Sequence, residues 1–187
     1  MDTVPAHDLS TRSTGIRGRD ASSSMADVWR ALGTVVDPEI PFVSIVELGI
    51  VREVARQANQ WVITVTPTYS GCPATRVIEG DIREAVTASV GEVPHVVTAL
   101  APAWTTDWIA PEALRKLHDA GIAPPGRAEA SATDARPLRF TRAKPPVQCP
   151  NCGSFRTDEL ARFGSTACKA QYRCNDCLEP FDYFKPH

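Results

Sequence analysis

From Asp27 the apolar positions Val28, Leu32, Val35 and Val36 recur at the spacing of one helix face, and Asp37-Pro38 ends the run because proline disfavours helical backbone in the residue before it. Two stretches rich in β-branched or aromatic residues follow, Ile50 to Ala55 and Trp61 to Thr66. They flank Gln57-Ala58-Asn59-Gln60, which reads as a hairpin connection, and Trp61, Ile63 and Val65 share one face of the second strand. Ala74, Ile78, Ile82, Ala85, Val86 and Ser89 form the stripe of an amphipathic helix. His95 to Leu100 reads as a third strand, and Glu112 to Ala120 as a last helix stopped by Gly121. The order α-β-β-α-β-α over residues 25–122 predicts a small α/β sandwich with its own core.

The flanks of this domain carry no such pattern. Residues 1–24 are rich in Ser, Thr, Arg and Gly and cannot bury enough surface to offset the entropy of ordering, so they read as a disordered tail. Met25, where patterning begins, is the alternative translation start. Residues 123–146 hold five prolines among alternating Ala and Arg and read as a semi-extended basic linker. Residues 147–187 form a third region whose punctuation is cysteine.

Composition sharpens that division. The 187 residues carry a net charge of −2, but residues 25–122 hold seven Lys/Arg against twelve Asp/Glu, whereas the linker is basic. An acidic main domain argues against a nucleic-acid surface. No window approaches 18 consecutive apolar residues and the first 24 lack an apolar signal core, so the expectation is a cytoplasmic protein without membrane contact. Five of the six cysteines crowd into residues 149–177, which favours thiols and metal over disulfides in that compartment.

Cys149-Pro150-Asn151-Cys152 and Cys174-Asn175-Asp176-Cys177 are two CxxC knuckles separated by 21 residues. Each knuckle presents two thiolates from one tight turn, which suits a single tetrahedral zinc at Cys149, Cys152, Cys174 and Cys177. A redox dithiol pair and a cluster site are the rival readings. A module of about 40 residues folds on metal-binding free energy, with Phe155, Phe163, Tyr172, Phe181, Tyr183 and Phe184 as packing partners. Cys168 stands outside the knuckles, either as a small buried residue or as a thiol tuned by Lys169.

In the larger domain Cys72 falls where the second strand gives way to the amphipathic helix, with Pro73 suited to the first helical position. A helix N-terminus there favours thiolate, making Cys72 a nucleophile or soft-metal ligand, or simply a cysteine packed under a turn. Asp37 and Glu39 lie on a proline-constrained loop that serves as a turn, ligates iron or pairs with a thiolate site, and their spacing alone does not decide among these. His7, His95, His118 and His187 form no catalytic or metal motif, and no phosphate-binding glycine motif occurs. The chain therefore reads as a non-enzyme.

The segment VVDPEIPFVSIVELGIVREV followed by VTPTYSGCPA resembles the iron-sulfur assembly domain family, small α/β domains that include SufT-like and cytosolic assembly factors, over about residues 25–105. With FGSTACKAQYRCNDCLEPFDYFK the resemblance narrows to the family of D subunits of phenylacetyl-CoA epoxidase (phenylacetate-CoA oxygenase) systems. It implies that Cys72, Asp37 and Glu39 handle iron or an iron-sulfur cluster in transit. It further implies an accessory maturation factor of aerobic phenylacetate degradation, serving an oxygenase with a diiron catalytic subunit and an iron-sulfur flavin reductase. The reductase is the favoured recipient, because its cluster needs thiolate-mediated transfer. A structural subunit of the oxygenase, a nucleic-acid-binding ribbon and a thiol oxidoreductase stay open beside it, as does a homodimer. Five basic against five acidic residues in the ribbon weigh against nucleic acid.

Overall fold

A computed structural model describes residues 24–126 and 146–187. The proposed tail up to residue 23 and the linker residues 127–145 lie outside the described residues. Helix α1 (Met25–Leu32) opens on a capping box: Ser24 Oγ accepts the Asp27 N–H while the Asp27 carboxylate accepts the Ser24 N–H, so residue 24 belongs to the helix cap. Val28, Ala31 and Leu32 are buried. The helix stops at Gly33, short of the predicted Val36. Val36–Asp37 instead forms β1, paired with β2 (Ile40–Ser44) in a hairpin that the helical spacing conceals. Asp37 drives this turn, since its Oδ1 accepts the N–H groups of Glu39 at 2.8 Å and Ile40 at 3.1 Å.

The main sheet runs in the order β3-β4-β5. Strands β3 (Val51–Gln57) and β4 (Gln60–Val65) pair antiparallel through Ala58 and Asn59, both at positive φ, the geometry of a two-residue hairpin turn. Helix α2 (Thr75–Val90) carries the chain across to β5 (His95–Thr98), parallel to β4. The core lies between this sheet and the helices: Trp61, Ile63 and Val65 meet Ile78, Ile82 and Val86, while Ser89 at the end of the predicted stripe is exposed. Helix α3 (Pro111–Asp119) buries Ala113 and Leu117. Gly49, at φ 68°, lies so close to Trp108 that a Cβ there would meet its carbonyl oxygen at 2.6 Å.

The second sheet runs in the order β6-β9-β8-β7, with β7 (Thr157–Ala161), β8 (Lys169–Cys174) and β9 (Pro180–Phe184) from the ribbon and β6 (Ile122–Ala123) from the end of the larger domain. The boundary drawn between residues 122 and 123 thus runs through β6, which pairs parallel with β9. Exchange also runs the other way. Cys168 and Phe184 are buried in the larger core, where Phe184 lies 6.1 Å from Trp104 between ring centroids. The Thr106 N–H donates to the His187 carbonyl at 3.3 Å. Tyr172, Phe181 and Tyr183 pack within the ribbon as expected, but Phe155 and Phe163 are 58% and 64% exposed, because neither lies on the inward face of a strand. No helix among the described residues is long and apolar enough to cross a membrane.

Candidate functional site

The knuckles are built by tight turns. Gly153, at positive φ, lets its N–H return to the Cys149 carbonyl at 2.9 Å, and the Cys174 N–H donates to the Glu179 carbonyl at 3.0 Å. Asp176 closes the two knuckles on each other by pairing with Arg156 at 2.7 Å and with the Ser154 hydroxyl. The sulfurs of Cys149, Cys152, Cys174 and Cys177 all lie within 4.8 Å of one another. Cys149 and Cys177 are 3.7 Å apart, and Cys152 and Cys174 are 3.5 Å apart. A tetrahedral zinc with Zn–S bonds of about 2.3 Å sets its sulfurs roughly 3.8 Å apart, so the donor set fits zinc. A disulfide would need sulfurs about 2 Å apart. Within this set the thiols differ: backbone N–H groups of Cys177 and Asp176 hold the Cys174 thiol down to about 6, while burial and the neighbouring sulfurs push Cys177 up to about 12. Zinc held by these four sulfurs would cross-link the two turns.

The remaining candidates meet at the seam between the two modules. Cys72 lies on the loop from β4 to α2, two residues before the cap residue Ala74, so Pro73 precedes the helix and does not occupy its first position. The position does not favour thiolate as the sequence suggests. Burial pushes the Cys72 thiol up and the charges of Glu39 and Asp37 add to it, outweighing a hydrogen bond from the Ala74 N–H. A cation bound beside the sulfur would reverse that balance. Asp37 is 7% exposed and lines a small pocket with Thr68, Cys72 and Thr75. Burial raises the pKa of its carboxyl, against the pull of two backbone N–H groups.

Glu39 reaches across the seam. Its Oε2 lies 3.9 Å from the Cys168 sulfur, which in turn is 3.0 Å from Thr166 Oγ1. Burial, then repulsion from Asp37, raises the pKa of Glu39; burial likewise raises that of Cys168, which is 5% exposed. Lys169, 6% exposed and 3.3 Å from Asp182, supplies the opposing positive charge that Asp37, Glu39 and Cys168 all feel. The Cys72 N–H donates to the Tyr69 carbonyl at 3.1 Å, and the Tyr69 hydroxyl is pushed up to about 12 by burial and by the charges of Cys72, Glu39 and Cys168.

The fold therefore places Cys72 in one pocket with Asp37 and under the charge of Glu39, and sets Cys168 of the other module beside Glu39. Sequence reasoning passed over Tyr69 and Thr166. The signal for Tyr69 was its place three residues before Cys72; nothing local marked Thr166. The seam thus gathers two thiols and two carboxylates around the buried Lys169, whereas among the described residues the donor atoms close enough together to hold a metal ion are those of the four ribbon cysteines. Among the described residues, His95, His118 and His187 take no part in it.

Comparison with known proteins bears on both halves of the chain. A family model described as iron-sulfur cluster assembly protein matches residues 25–99, and one described as PaaD zinc beta ribbon domain matches residues 133–185. The chain is 47% identical over 165 residues to an Escherichia coli protein described as the D subunit of 1,2-phenylacetyl-CoA epoxidase, covering 88% of this chain and 94% of that one. It is 39% identical over 94 residues to a Porphyromonas gingivalis Fe-S protein maturation auxiliary factor, covering 49% of this chain and 88% of the relative. A solved domain of unknown function from Bacillus anthracis aligns with TM-score 0.46 at 33% identity, covering 49% of this chain and 89% of its own.

Proposed function

The chain belongs to the family of 1,2-phenylacetyl-CoA epoxidase D subunits, which joins an iron-sulfur assembly domain to a zinc ribbon, and from that premise we propose that it is a non-catalytic maturation factor of the epoxidase system. Its cargo is iron or a preformed iron-sulfur cluster, carried in the cytoplasm to an oxygenase component during aerobic phenylacetate degradation. The observation that carries this reading is Cys72 in one pocket with the buried Asp37 carboxylate, under the charge of Glu39. A thiol beside carboxylates can take iron and surrender it by ligand exchange. The maturation role in the name of the Porphyromonas relative, which spans the same domain, supports the assignment. The iron-sulfur reductase is the recipient favoured over the diiron subunit, because thiolates at its apo cluster site can displace Cys72 one bond at a time. Zinc at Cys149, Cys152, Cys174 and Cys177 is resident and structural.

The direct test is anaerobic transfer. Protein loaded with iron and sulfide and mixed with apo-reductase should restore its cluster absorbance and electron transfer, and the Cys72→Ala variant should not. Equal restoration by the variant would place the transfer chemistry elsewhere or remove it from this protein.

A further inference from the structure

One face of the ribbon sheet carries a depression that the zinc set does not use. Side chains alternate along β8, so Ala170 and Tyr172 share a face; Ala170 pairs across to Tyr183 on β9, and Tyr172 to Glu159 on β7. A small alanine beside two tyrosines leaves a gap there. The result is a cleft of about 370 Å³ whose apolar lining is Val147, Ala170, Tyr172 and Tyr183, all buried, a volume in the range of small-molecule sites. The two tyrosine rings meet edge to face at 5.4 Å, and the Tyr172 hydroxyl donates to Glu159 Oε2 at 3.2 Å. Positive charge also lines the cleft. Arg162 and Lys185 stand there against the carboxylate of Glu159, and Lys185 Nζ is steadied by the Arg162 carbonyl at 3.1 Å and by the Phe163 ring at 4.4 Å. Burial and the charge of Arg162 lower the Lys185 pKa, against the pull of Cys168 and Glu159, so an anion between the two cations relieves a repulsion already present.

We propose that this cleft binds a small carboxylic acid with an apolar body, the ring or chain resting on Ala170 between Tyr172 and Tyr183 and the carboxylate held by Arg162 and Lys185. Two cations against one carboxylate leave a surplus positive charge, which selects a monoanion over a neutral molecule. The Arg162 guanidinium can take a carboxylate through two parallel N–H groups, and the apolar lining takes the rest of the ligand out of water. The site stands independently of the maturation reading. Its occupancy bears on the zinc module directly: Val147 and Tyr172 each lie two positions before a knuckle cysteine, Cys149 and Cys174, so a bound acid braces both knuckles and stabilises the ribbon by mass action.

The test titrates the full chain, with zinc bound, with 3-phenylpropionate and with hexanoate while backbone amide NMR shifts are followed. The expected result is saturable shifts around Ala170, Tyr172 and Tyr183 with at least one acid, accompanied by a higher melting temperature, and the tighter acid shows whether the cleft prefers a ring or a chain. The matching neutral amides, 3-phenylpropanamide and hexanamide, should bind at least about 10-fold more weakly. Arg162→Gln and Lys185→Gln should each weaken binding of the acids roughly 5- to 10-fold and leave that of the amides unchanged. Ala170→Val should fill the gap and abolish binding of both. Unchanged zinc content and ligand-free melting temperature show that the variants are folded, and the double variant Arg162→Gln, Lys185→Gln, which leaves the apolar lining intact, replaces Ala170→Val if the latter fails that check. No saturable shift with either acid up to about 10 mM, equal binding of acids and amides, or full affinity in the double charge variant would each overturn the site. Saturable shifts confined to the larger domain would overturn it as well.

Discussion

Glu39 holds a charge that burial and Asp37 disfavour, only partly relieved by Lys169, Thr166 and Cys168. A carboxyl whose folded pKa lies above its ordinary 4.5 is stabilised by folding in its neutral form, so its favourable contribution is present below that value and is lost as pH rises through the folded pKa. Glu39→Gln should accordingly be more stable than the parent protein at pH 7, with the advantage vanishing once the pH falls below about 4. Urea unfolding midpoints at the two pH values check this, and a destabilised variant at pH 7 would refute it. Cys72→Ala should behave differently. The side chain is small and half-buried on a loop, so stability should change by less than about 1 kcal/mol with zinc still bound 1:1. Elemental analysis and thermal melting report both quantities.

Among the elements, those specified by local chemistry were legible in the sequence. The β3–β4 hairpin follows from two strand-rich runs around a two-residue turn, and α2 follows from its apolar stripe. The β1–β2 hairpin was not legible, because Val28, Leu32 and Val35 keep helical spacing while only the Asp37 carboxylate, gripping two backbone N–H groups, reveals that the chain has already turned. β6 escaped for another reason: a two-residue strand has no period, and its partner β9 lies about sixty residues further along. The same long-range packing makes Phe184 a keystone, buried against Trp104 in a core its own module does not own. Phe184→Ala should cost about 3–5 kcal/mol by leaving a cavity at the seam. Tryptophan fluorescence during urea unfolding should register the loss, and a cost below about 1 kcal/mol would show that the modules do not share this core.

For the whole molecule, the zinc set could be read from spacing alone, because both knuckles are local turns and only their convergence required the fold. The seam could not. Glu39 and Cys168 are 129 positions apart, and no local pattern joins them. This coupling makes the ribbon more than a separate tail. Cys152→Ser should release zinc and loosen the β6-β9-β8-β7 sheet, and the disturbance should reach Trp104 through Phe184 and His187. A red shift of tryptophan emission that a Trp104→Phe background abolishes would demonstrate the path; unchanged emission after zinc loss would show an uncoupled ribbon. The account's central claim, that metal in transit passes through Cys72 to the oxygenase, is tested most directly by the iron and sulfide content of the reductase purified from strains carrying the parent protein or Cys72→Ala. The account predicts an under-filled reductase cluster and failed growth on phenylacetate in the variant strain, and equal iron and sulfide in both would contradict it in favour of a structural subunit.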